Sequence, residues 1–74
     1  MKIKTVNVLE YLGPANLIIH SFNDDDNGNK AAERLFRNCI RENAYERSDE
    51  DINSDVENGF YLLNNYEVYL THSV

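Results

Sequence analysis

Residues 29–43 read NKAAERLFRNCIREN, and this stretch decides the architecture. Ala32, Leu35, Phe36, Cys39 and Ile40 recur at i, i+3, i+4, i+7 and i+8, the spacing of one apolar helix face. At roughly 100° per residue, Lys30, Arg34, Arg37 and Arg41 gather within about 60° of one another on the opposite side. The segment is therefore an amphipathic helix with one face for a core and one cationic face. Glu33 and Arg37 form a favourable i, i+4 pair on the polar side, as an ordinary solvent face would.

Working outward, the N-terminal side is strand-like. Residues 2–12 begin rich in β-branched side chains (Ile3, Thr5, Val6, Val8), and residues 17–22 (LIIHSF) form a short apolar run of strand length. Gly13-Pro14-Ala15-Asn16 between them suits a turn with Pro14 at its second position. The first 22 residues thus read as a β-hairpin, with a helical turn over residues 8–12 stopped by Gly13-Pro14 as the alternative. The polar loop 23–28 (NDDDNG) leads into the helix, which Asn27 or Asn29 is placed to cap.

On the C-terminal side, Ser48-Asp49-Glu50-Asp51 is a weakened capping box opening a second helix over 49–58. Ile52 and Val56 are its apolar pair, and Gly59 its terminator. Residues 60–74 (FYLLNNYEVYLTHSV) return to strand composition, with Asn64-Asn65 as a turn or bulge and 66–72 as the main strand. There Tyr66, Val68, Leu70 and His72 share one face and Glu67, Tyr69, Thr71 and Ser73 the other. The expected fold is α+β: a three- to four-stranded antiparallel sheet, made of the N-terminal hairpin and the C-terminal strand, with two helices on one face.

A chain of 74 residues forms a single domain, 1–74, close to the size at which one core barely suffices. A binding surface suits it better than a deep cleft. Thirteen acids against seven bases give a net charge of −6, which disfavours direct nucleic-acid binding. The lone Cys39 allows no internal disulfide and reads as a reduced core thiol, which with the absence of a signal-like start or an apolar span points to the cytoplasm and to no membrane. Nine of the thirteen acids fall in two segments, Asp24, Asp25 and Asp26, then Glu46, Asp49, Glu50, Asp51, Asp55 and Glu57. They form either a solvated face or an anionic surface for a basic protein site, imitating a nucleic-acid backbone.

The loop 23–28 also invites comparison with a calcium loop, Asn23, Asp25 and Asn27 taking the first ligand positions. The bidentate Glu demanded six residues after Gly28 is Arg34, so no metal or cofactor site is assigned. His20 and His72 are the candidate general bases and lie on strands that a sheet could pair, yet no nucleophile signature accompanies them. Among five tyrosines, Tyr61 and Tyr69 are the expected exposed anchors on the sheet face away from the helices.

The hairpin YLGPANLIIHSF, the following NKAAERLF and the acidic ENGFY–YEVYLTHS tail together resemble small acidic accessory proteins of bacteriophages, among them anti-CRISPR and other anti-defence inhibitors. The resemblance is one of size, charge and layout over the whole chain. It implies a non-enzymatic inhibitor that binds a host protein, such as a nucleic-acid-binding defence effector, in the host cytoplasm. Other expectations are a small regulatory adaptor, a homodimer or larger homo-oligomer built through strand edges, and a weak divalent-metal module.

Overall fold

The computed structural model describes residues 4–73, so the expected strand start at Lys2 and Ile3, and Val74, lie outside the described residues. The elements run β1 (Thr5–Tyr11), β2 (Leu17–Asn23), α1 (Asp26–Asn43), α2 (Asp49–Asn58), β3 (Phe60–Leu63) and β4 (Tyr66–Ser73). They form one four-stranded antiparallel sheet of order β2-β1-β4-β3 with two helices, the α+β fold expected. The short fourth strand is β3, joined to β4 through the two-residue turn Asn64-Asn65. In the first hairpin the Asn16 N–H donates to the Gly13 carbonyl at 3.4 Å, closing a turn with Pro14 at its second position.

Helix α1 starts three residues earlier than the apolar periodicity suggests. Its cap is Asp25, not Asn27 or Asn29: Asp25 is extended, and its carboxylate accepts the Gly28 N–H at 2.7 Å. Asn29 instead donates to the Asp24 carboxylate and the Asp25 carbonyl, both at 2.8 Å. The periodicity misses this first turn because it is polar throughout and packs through Gly28, which has no side chain to register. Helix α2 opens as expected, with the Ser48 hydroxyl accepting the Asp51 N–H at 3.2 Å. Gly59 ends it in the left-handed region at φ +84°, its N–H donating to the Asp55 carbonyl and its carbonyl accepting from Leu70.

Strand alternation places Val6, Val8, Tyr66 and Val68 on the helix side of the sheet. There they close a core with Ala32, Phe36, Cys39 and Ile40 of α1 and Ile52 of α2. Phe36, Ile40, Ile52, Val6, Val8 and Val68 are fully enclosed. Burial of each such side chain contributes about 1.5–3 kcal/mol. Both helices therefore lie on one face, and the opposite face of the sheet carries none of this layer.

Candidate protein-docking face

Registers fix what the uncovered face presents. Leu9 of the central strand β1 stands opposite Ile19 of β2 on one side and Tyr69 of β4 on the other, and Tyr69 stands opposite Phe60 of β3. The row Ile19–Leu9–Tyr69–Phe60 thus crosses the whole sheet, about 14 Å from β2 to β3 at the usual strand spacing. The neighbouring row, one strand pair nearer the hairpin turns, is Leu17–Tyr11–Glu67–Leu62. Beyond the first row the face turns polar, with Ser21, Asn7 and Thr71 aligned. Ile19 is 58%, Leu62 52%, Leu17 48% and Phe60 44% exposed, far more than a sheet face needs for its own strand pairs.

The two rows are held in fixed shape. Tyr11 and Tyr69 meet edge to face with centroids 5.6 Å apart, and the Tyr69 hydroxyl donates to Glu67. That bond to a carboxylate raises the Tyr69 phenol above its ordinary value, so it stays protonated and keeps donating. Glu67 is the one acid between Tyr11 and Leu62 in the second row, exposed and pointing to the same side.

The expected contact residues divide between the two layers. Tyr69 lies on the uncovered face as expected. Tyr61 does not: it stands opposite Val68, faces the helix layer, and is half-buried beneath the Arg47 guanidinium, 4.6 Å from its ring centroid. The two-residue turn sets the β3–β4 register, and that register puts Tyr61 and Tyr69 on opposite faces. Asp55 is also removed from the surface. It is 5% exposed, and its carboxylate receives Arg47 Nε at 2.6 Å and Nη2 at 2.7 Å, because it follows Ile52 by three residues and shares its buried face. Glu46, Asp49, Glu50, Asp51 and Glu57 are exposed around α2, and Asp49 also receives Arg41 at 3.2 Å. Asp24, Asp25 and Asp26 sit at the corner between β2 and α1, two of them engaged in shaping the helix start. Since Asn27 is already helical, the backbone of 23–28 does not wrap as a calcium loop.

Of the cationic stripe, Arg37 is tied to Glu33 at 2.9 Å and to Asn53 of α2 at 2.7 Å, and Arg41 to Asp49, so half of it joins the helices to each other. His20 and His72 are not paired: β1 runs between their strands, and His72 Nε2 lies 3.1 Å from the Asn29 side-chain oxygen instead.

A polar cluster on the helix side escaped the sequence reading. Glu10 continues the inward alternation of Val6 and Val8, and its carboxylate accepts from Tyr66 at 2.8 Å and from Cys39 at 3.3 Å while contacting His20 Nε2 at 2.9 Å. Parity in β1 would have found it. Burial pushes the Glu10 carboxyl up, but the bonds from His20, Tyr66 and Cys39 outweigh it and hold the group below its ordinary value. Burial, reinforced by the adjacent carboxylate, pushes the Cys39 thiol up to about 11. At neutral pH Cys39 is therefore a protonated donor, and the cluster ties β1, β2, β4 and α1 together as a satisfied polar knot.

No family model, no curated protein and no solved structure matches this chain. Among the described residues no helix is long and apolar enough to cross a membrane.

Proposed function

We propose that the chain is a non-enzymatic protein-binding module that docks a partner protein on the uncovered face of its sheet. The observation that carries this reading is the apolar row Ile19–Leu9–Tyr69–Phe60, spanning all four strands, with Ile19 and Phe60 exposed at its ends and Leu9 and Tyr69 half-buried between them. Its partner presents an apolar patch that accepts these side chains, with a basic group opposite Glu67. Docking would strip water from that carboxylate, and only a donor or a cation offsets the cost. The net charge of −6 speeds encounter with a basic partner.

A more specific form of the same reading is stoichiometric inhibition of a host defence or regulatory protein. The exposed acids Glu46, Asp49, Glu50 and Asp51 would serve there as a second, nucleic-acid-like contact on the helix layer. The two layers are separable in one experiment. Partner proteins captured from host lysate are compared for the wild type, for Leu62→Asp with Tyr69→Ala, and for Asp49, Glu50 and Asp51 all reversed to Lys, each at low and high salt. The docking face predicts that the sheet variant loses capture at both salt concentrations while the reversed variant keeps it at high salt. Undiminished capture by the sheet variant would overturn the docking face, and undiminished low-salt capture by the reversed variant would remove the nucleic-acid-mimic form.

A further inference from the structure

The sheet has two edges, and they differ. Strand β3 covers only Phe60–Leu63, the short length with which proteins blunt an edge. Strand β2 runs Leu17–Asn23 with no proline, lysine, arginine, aspartate or glutamate in it. Which of its backbone groups are unspent follows from the ladder. The Leu12 N–H donates to the Asn16 carbonyl and the Asp24 N–H to the Lys4 carbonyl, so these are hydrogen-bonded pairs at either end of the β1–β2 register. Alternation between them makes Ile18, His20 and Phe22 the residues bonded to β1. The N–H and C=O of Leu17, Ile19 and Ser21 then point the other way, to the open edge.

We propose that a second copy of this chain pairs with that edge, β2 against β2 antiparallel about a two-fold axis at Ile19. Leu17 of each copy then faces Ser21 of the other, and each such hydrogen-bonded pair exchanges two backbone bonds. Two features of this chain favour a second copy. In this register the acids Asp24, Asp25 and Asp26 of one copy fall beside the uncharged turn 13–16 of the other, so two chains of like net charge meet without opposing their clusters. The apolar row also continues from Ile19 to the second Ile19, giving one sheet of twice the four strands with an unbroken apolar band. Ile18, 40% exposed on the helix side, gains cover in the same step. Strand pairing alone buries less than a standard interface, so the dimer is concentration-dependent. The inference stands apart from the docking reading, since it needs no other partner.

Sedimentation equilibrium over a concentration series, with amide hydrogen exchange on the same samples, tests it. The expected result is a doubling of mass with concentration, accompanied by new protection at the Leu17, Ile19 and Ser21 amides. Ser21→Pro removes an edge-facing N–H and the Ser21 hydroxyl's bond to Asn7 but leaves the β1 backbone ladder whole, so it keeps the fold and loses the mass doubling. Leu62→Ser, on the far strand, keeps the doubling. A mass that stays monomeric throughout, or a doubling without protection of those three amides, overturns the proposal. A doubling abolished by Leu62→Ser but not by Ser21→Pro also overturns it, since the interface is then the sheet face.

Discussion

Replacing Gly28 by alanine tests how α1 is seated. A helical glycine changed to alanine ordinarily stabilises by about 1 kcal/mol through backbone entropy alone. Here the expected sign is the reverse. A Cβ at Gly28 would lie 1.7 Å from the Asn23 carbonyl oxygen and 2.8 Å from its carbon, against a floor near 3.0 Å for real contacts. Both partners are backbone, so no rotamer change relieves the clash. Asn23 ends β2, beside the bond from the Asp24 N–H to Lys4, and the helix start is held by the Asp25 cap and by the Asn29 N–H on the Asp25 carbonyl. Separating them breaks the cap, worth about 1 kcal/mol, and adds overpacking of about 1–3 kcal/mol. Net of the propensity gain, Gly28→Ala should cost roughly 2 kcal/mol. For a domain of this size, that lowers Tm by about 8–16 °C. Thermal melts followed by far-ultraviolet circular dichroism, with urea titration as a second measure, read this directly. An unchanged or raised Tm would refute the close seating of α1 on the end of β2.

Arg47→Met leaves the buried Asp55 carboxylate without its bidentate partner and should cost about 2–4 kcal/mol in urea unfolding, with Asp55→Asn in the same chain recovering part of it. The acid limb of the stability curve should carry the signature of Glu10. Its folded carboxyl titrates below the ordinary 4.5, so its contribution is complete above that pH and is lost as pH falls through the folded value. Glu10→Gln should therefore flatten the acid limb, and an unchanged limb would mean that other carboxylates dominate it. Cys39, buried and with its thiol at about 11, should resist a thiol reagent at neutral pH in the native protein and react at once in denaturant.

Periodicity and punctuation carried both helices. The Ser48 cap, the Ile52–Val56 pair and Gly59 define α2 residue for residue, because each acts on its immediate neighbours. Strand order is a different matter. Alternation in β4 tells which side chains share a face but not which strand lies beside it, and nothing local in Thr5–Tyr11 announces that β4 will be its second neighbour. The errors at the candidate site follow from that difference. Tyr61 needed the β3–β4 register, and the His20–His72 pairing needed the strand order. Asp55 and Glu10 were within reach, since each sits at an apolar-phase position of its own element. A charge in an apolar phase reads by default as surface, which is how Asp55 falls among the acidic contact residues, while Glu10 belongs to neither acidic segment and carries no such signal. The docking row itself was hidden for the same reason as the strand order: Ile19, Leu9, Tyr69 and Phe60 are neighbours only across strands.

The central position of β1 and β4 has a consequence for the order in which this fold can be made. Thr5 stands opposite Ser73, so the innermost seam of the sheet joins the earliest strand to the latest. While the chain is being synthesised, the first hairpin and α1 have only half of the sheet to form upon and lack Ile52, Tyr66 and Val68 of the buried core. Val68 and Tyr66 follow both helices in the chain and are the last of the described core residues to join the cluster that contains Phe36. Closing that seam requires the largest loop in the structure and is expected to dominate the folding barrier. Until β4 emerges, the uncovered hairpin keeps both edges of β1–β2 open, and that is the interval in which the nascent chain is most exposed to proteases and to strand pairing with other chains.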